Sequence, residues 1–213
     1  TWSLAVEEQF YILFPAILVI LYKILKKNLI YVIFLGFVTS LYLANIASQS
    51  NPSLNFYMLP FRGWELLVGT ILAWLEVNTG RTNNKFYCQI FPIVGIILIF
   101  YSVIFFNDDM LHPSLYTLIP IVGTALIIWF SHKNSIVCKV LSTKMFVGIG
   151  VISYSLYLWH YPIMAFDRIK DFSPSETDRL QWIILTFIFS IFSYYLIEKP
   201  FRNKFKISRR NFI

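Results

Sequence analysis

Charge is what this 213-residue chain has least of. Asp, Glu, Lys and Arg make up 14% of it, where a soluble domain of this length carries about 25%. Hydrophobic residues make up 57%, and the mean hydropathy is +0.64. Together these exclude an ordinary soluble domain. Cysteine is nearly absent: Cys88 and Cys138 are the only two, too few for a disulfide framework, and their spacing fits no metal motif. No metal is expected, and no bound cofactor. The alternating strand pattern of a membrane barrel is missing. So are internal repeats and low-complexity tracts. No basic region precedes the first apolar stretch, as a secretory signal would require. The chain also lacks an initiator Met, and its first residues already enter an apolar run. It reads as an excerpt of a longer protein.

What the chain has in abundance is long apolar runs. Seven recur, at 4–22, 29–46, 58–77, 87–106, 115–131, 145–165 and 180–198. Each covers about 17–21 residues, or about 26–32 Å of helix, enough to cross a hydrocarbon core. The expected fold class is all-α, a polytopic transmembrane bundle of about seven spans.

The net charge of +7 invites a nucleic-acid reading, but its distribution argues for membrane topology. Lys23, Lys26 and Lys27 follow the first span. Arg81 and Lys85 follow the third, and Lys133, Lys139 and Lys144 the fifth. Lys199, Arg202, Lys204, Lys206, Arg209 and Arg210 follow the seventh. The loop 47–57 carries no charge, and 107–114 carries only Asp108 and Asp109. Positive residues stay cytoplasmic, so residue 1 is expected outside and the C-terminus inside. Both cysteines then fall on the cytoplasmic side. The basic tail reads as a stop-transfer anchor compatible with anionic lipid headgroups. Membrane lipid, and not nucleic acid, is the expected partner.

The few charges inside the spans stand out against this background. A charge at the centre of a bilayer helix costs about 2.5–3.5 kcal/mol on insertion scales, and such groups are functional candidates. Glu7 and Glu8 lie about one turn inside the outer end of the first span. Arg62 and Glu65 hold the same depth in the third, and His160 lies near the outer end of the sixth. These residues suggest a polar cavity opening outward. Trp64 and Trp159 flank the charged positions, where an aromatic face could stack on a sugar ring. Pro15 and Pro162 free the carbonyls of Tyr11 and Leu158, and broken backbone at membrane depth survives where it lines a cavity. Simpler readings stay open at each point. Arg62 and Glu65 at i, i+3 could form an intrahelical ion pair. His160 could only bond a backbone carbonyl. The tryptophans could be an interfacial belt. Glu7 and Glu8 point about 100° apart on a helix, so only one is expected to face a given cavity.

Four blocks carry a resemblance. Thr-Trp-Ser-Leu-Ala-Val-Glu-Glu-Gln-Phe-Tyr-Ile-Leu-Phe-Pro at 1–15, Phe-Arg-Gly-Trp-Glu-Leu-Leu-Val-Gly at 61–69, Ile-Ser-Tyr-Ser-Leu-Tyr-Leu-Trp-His-Tyr-Pro at 152–162 and Tyr-Tyr-Leu-Ile-Glu-Lys-Pro-Phe-Arg at 194–202 together resemble the acyltransferase family 3 integral membrane proteins. The likeness is to members that O-acetylate cell-surface polysaccharides such as O-antigen or peptidoglycan. It implies transfer of an acetyl group from acetyl-CoA to a surface glycan hydroxyl, at the cytoplasmic membrane of a bacterium. It implies about ten spans in the complete unit, so that the N-terminal ones would be missing here, and an SGNH-type hydrolase domain further on in the parent chain. The family's catalytic His would lie upstream of Thr1, so the catalytic residue is unknown in this chain, which alone is expected to be inactive. Glu7 and Glu8 are then supporting candidates. Arg62, Glu65, His160, Trp64 and Trp159 are candidates for substrate binding.

Two other classes fit the same residues. Buried carboxylates, an arginine and kinked helices also suit a transporter of small molecules or lipid-linked sugars. A non-enzymatic membrane scaffold would use the charges only in structural pairs.

Overall fold

The computed structural model describes residues 2–82, 84–107, 110, 112–168 and 175–202. Asp108, Asp109, Lys170 and the tail residues Lys204, Lys206, Arg209 and Arg210 lie outside the described residues. Every described regular element is helical, and the fold is all-α.

The first compact unit runs from Trp2 to Val140. It holds α1 (Trp2–Leu25), α2 (Leu29–Ser50), α3 (Pro52–Tyr57), α4 (Leu59–Thr79), α5 (Lys85–Phe105), α6 (Leu118–Phe130) and most of α7 (Ile136–Leu141). Local chemistry sets these boundaries. Pro52 and Pro60 stand in the first turns of α3 and α4, where a missing N–H costs nothing. Gly80 ends α4 at φ 71°, a conformation that suits glycine. Asn84 caps α5 by accepting a hydrogen bond from the Phe86 N–H at 3.0 Å, and Ser114 opens a 3-10 turn that leads into α6.

Within this unit α2 packs along α4 and α5 along α6, while α1 lies against α3 and α4. The α5–α6 crossing is set by Gly95 and Gly123. A Cβ on Gly95 would stand 2.5 Å from the Gly123 carbonyl oxygen, and one on Gly123 would stand 2.7 Å from the Gly95 carbonyl. The two backbones touch because neither residue has a side chain.

The second compact unit covers residues 141–213. Its described elements are α8 (Lys144–Arg168), α9 (Glu176–Ser193), a π turn over Tyr194–Glu198, and α10 (Lys199–Arg202). Ser175 and Asp178 form a capping box at the start of α9, which satisfies two otherwise orphaned groups. α8 and α9 pack against each other.

Burial in both units is inverted relative to a soluble protein. Small and polar residues are hidden: Ser40, Ser48, Ser102, Ser155, Thr186 and Ser190 are all buried. Large apolar residues such as Ile12, Phe34, Val103, Met145 and Phe192 are exposed. Small residues at helix contacts and apolar ones facing outward are the pattern of helices packed in lipid.

A long helix or helical stretch covers each of the seven apolar segments. Among the described residues, four stretches are long and apolar enough to cross a membrane: Ser3–Leu25, Leu29–Ser50, Lys85–Phe105 and Glu176–Arg202. The other three fall short for visible reasons. α4 carries Arg62, Glu65 and Glu76, α6 has only 13 residues, and α8 is interleaved with Gly148, Gly150, Ser153 and Ser155. Seven crossings therefore remain a proposal. The short helices α3 and α7 fill stretches that had read as loops. Helix continues through both Pro15 and Pro162.

Candidate functional site

In the first unit the polar chemistry gathers on α4. Arg62 Nη2 donates to Glu65 Oε2 at 3.0 Å, with both side chains half-buried at 18% and 23% exposure. The i, i+3 spacing places the two on one helix face, so the intrahelical pair is formed. The Arg62 guanidinium also lies over the Phe56 ring of α3, 5.4 Å from its centroid, a cation–π contact that strengthens with desolvation. Arg62 Nε is buried and has no hydrogen-bond partner among the described residues. The guanidinium thus keeps donor capacity that the ion pair does not use.

The α4 turn beneath the pair is held from α2. Ser40 Oγ donates to the Pro60 carbonyl at 2.6 Å and accepts from the Trp64 N–H at 3.0 Å. These are the two backbone groups that an α-helix would join to each other. Trp64 itself is fully buried, its ring edge-on to Phe37 at 6.2 Å. Its indole nitrogen has no partner among the described residues. On α3, fully buried Asn55 donates through Nδ2 to the Pro113 carbonyl at 2.9 Å, while its Oδ1 is unpartnered among the described residues. A surplus of donors and one acceptor is therefore stored around the α3–α4 corner.

Glu7 and Glu8 separate by burial. Glu7 is half-buried and Glu8 is exposed, next to buried Val6. Neither carboxylate enters an ion pair among the described residues. A groove of about 370 Å³ runs between α1, α2 and α4, lined by residues including Phe10, Phe14, Ile17, Leu43 and Leu67. Its only polar side chains are Thr39 and Ser40, and Thr39 bonds its own helix backbone. The groove is otherwise apolar, and the half-buried charges of this unit's α4 lie at the Arg62–Glu65 pair.

His160 and Trp159 lie on α8, in the second unit. His160 Nδ1 is 3.3 Å from the Leu156 carbonyl. A carbonyl can only accept, so Nδ1 carries the proton and Nε2 keeps a lone pair in the neutral ring. The ring borders a cavity of about 330 Å³ with Tyr157, Met164, Ile183 and Thr186. Trp159 stacks on Phe189 of α9, with centroids 5.0 Å apart. Among the described residues no group of three His, Cys, Asp or Glu could hold a metal ion. Both cysteines are free thiols.

Sequence reading missed Ser40, Asn55 and Phe56, whose roles arise only from how α2 and α3 pack on α4. It also passed over Glu198, which lies in a quoted block and pairs with Ser155 and Arg202. A carboxylate directly after the apolar run that ends at Ile197 was the available signal.

Comparison with known proteins gives these positions a context. A family model, acyltransferase 3, described as an acyltransferase domain, matches residues 1–198. The peptidoglycan O-acetyltransferase OatA of Listeria monocytogenes is 31% identical over 215 residues, covering 94% of this chain and 34% of that protein. The O-acetyltransferase OatA of Staphylococcus aureus strain NCTC 8325 is 31% identical over 216 residues, covering 95% of this chain and 36% of that protein. The chain spans about a third of the length of these curated relatives. No solved structure shows a significant match. With the family match covering the first three signature blocks and entering the fourth, the chain belongs to the acyltransferase 3 family.

Proposed function

We propose that this chain is part of a membrane acyltransferase that O-acetylates a cell-envelope polysaccharide, with peptidoglycan as the first acceptor to test and acetyl-CoA as donor. The family match over residues 1–198 carries the reaction class. The names of the two OatA relatives support the acceptor. Acyl transfer to a hydroxyl needs a base for the hydroxyl proton and donors for the tetrahedral oxyanion. Unspent N–H capacity on Arg62 and the half-buried carboxylate of Glu7, which enters no ion pair among the described residues, are groups of those two kinds. Glu65 holds the Arg62 side chain to one direction. Trp64 packs the helix that carries both, and Trp159 and His160 of the second unit keep their place as candidates for substrate binding. Glu8 is assigned a lesser part because it is exposed. The seven-span arrangement, residue 1 outside and the C-terminus inside, and the SGNH-type hydrolase domain in the parent chain belong to the same proposal.

The test is made in cells that express the complete reading frame. Deletion of the gene is expected to remove O-acetyl groups from the muropeptides seen by mass spectrometry, and the wild-type gene to restore them. Unchanged acetylation in the deletion strain would overturn the acceptor. Uptake of substrate into proteoliposomes with no acyl transfer would replace the enzyme reading by transport.

A further inference from the structure

The last helical stretch carries a carboxylate that the site above does not use. Glu198 is only 14% exposed. Its Oε2 accepts from Ser155 Oγ at 3.1 Å, and its Oε1 pairs with Arg202 Nη1 at 3.1 Å. Ser155 is 2% exposed and stands eleven residues into α8, about 16 Å along its axis. The contact therefore lies at mid-length of α8.

Regular helix geometry would not put Glu198 there. The face of α9 that is hidden includes Thr186 and Ser190, one turn apart and 7% and 0% exposed. At about 100° per residue, the position two turns below Ser190 on that face is 197, and 198 points about 80° away. The observed burial is the reverse: Ile197 is 59% exposed, and Glu198 is hidden. The π turn accounts for it. The Lys199 N–H bonds the Tyr194 carbonyl five residues back, so the turn holds one extra residue and sets later positions back by about 100°. Glu198 returns to the hidden face and Ile197 leaves it. Pro200 follows directly and has no N–H to offer the Leu196 carbonyl.

We propose that Glu198, swung onto the α8–α9 contact by the π turn, is a positioning residue: through Ser155 it fixes the register of the helix that carries Tyr157 and His160. One turn above Ser155, Trp159 stacks on Phe189, and His160 lines the 330 Å³ cavity together with Thr186. A slip of α8 by one turn, about 5.4 Å, would carry His160 past its cavity. The link to catalysis rests on the acceptor-side role proposed above for this face. The register itself does not.

The experiment uses the full-length protein in membranes, with Cys88→Ser and Cys138→Ser as background. Trp159→Cys is paired in turn with Leu185→Cys, Phe189→Cys or Ser193→Cys, and oxidative cross-linking reads the register. Acetyl transfer to a muropeptide acceptor is measured in parallel without the added cysteines. With Glu198 intact, the cross-link is expected to favour position 189. Glu198→Ala and Ser155→Ala are expected to spread it over the neighbouring turns and to lower transfer at least tenfold. Glu198→Gln keeps an acceptor for Ser155, and is expected to keep the 189 cross-link and transfer within about threefold. An unchanged cross-link in both alanine variants would overturn the proposal. So would a Glu198→Gln variant as impaired as Glu198→Ala with its register intact, since the charge would then act directly. If Glu198→Ala does not reach the membrane, Ser155→Ala decides alone. A shifted cross-link in a parent without transfer activity would uphold the register role and reject the acetylation reading.

Discussion

Ser40 of α2 stands between two backbone groups of α4, accepting from the Trp64 N–H at 3.0 Å while it donates to the Pro60 carbonyl at 2.6 Å. A side chain inserted into a helix ladder opens that turn. The turn affected is the one from which Arg62 and Glu65 project. Ser40→Ala lets the two backbone groups rejoin, so its effect on stability is expected to be small, about 1 kcal/mol. The direction of the Arg62 side chain changes with the turn. Transfer activity is expected to fall at least tenfold with normal protein levels. Thermal-shift and transfer assays on the same preparation check this, and equal losses in both would contradict it.

Burial separates the two adjacent glutamates. Glu7→Gln is expected to lower O-acetylation at least tenfold, because Glu7 is the half-buried one. Glu8→Gln is expected to stay within twofold, because Glu8 is exposed. Muropeptide mass spectrometry in complemented deletion strains reads both. The opposite ranking would mean that the inward face of α1 has been misassigned.

The Arg62–Glu65 pair predicts non-additive losses. Glu65→Ala leaves a half-buried guanidinium without its carboxylate, which costs more than removing both charges. Arg62→Ala and Glu65→Ala are each expected to abolish most activity, and the double variant is expected to be more thermally stable than Glu65→Ala alone. A double-mutant cycle measures the coupling. Full recovery of activity on exchanging the two charges would assign the pair a purely structural role.

The α5–α6 crossing gives a stability test away from the site. Gly95→Ala drives a Cβ to 2.5 Å from the Gly123 carbonyl, and overpacking of this kind costs about 1–3 kcal/mol. Gly69 is the control, because a Cβ there meets nothing within 4 Å. Gly69→Ala is expected to be neutral or stabilising. Melting temperatures of the solubilised protein compare the two.

Helices were legible where apolar runs were long, since a run of that length has no other way to satisfy its backbone in lipid. The Arg62–Glu65 pair was legible because i, i+3 spacing is a local property of one helix. Ser40 was not, because its role depends on which residues of α2 meet which of α4. Asn55 was hidden by its setting in an uncharged stretch that read as loop, yet α3 forms there and buries it completely. Glu198 was hidden for a different reason. It stands at the end of its apolar run, and a π turn breaks the 100° rule by which its helix face would be read.

The inverted burial of this chain bears on how it can be handled. Its cohesive contacts are thin seams of serine, alanine and glycine, and most of its bulky side chains face outward. Solvent therefore does for this protein what an interior does for a soluble one. Exchange of lipid for detergent amounts to a substitution at dozens of positions at once. Loss of shape on extraction will depend on the length and stiffness of the surrounding chains before it depends on any single residue.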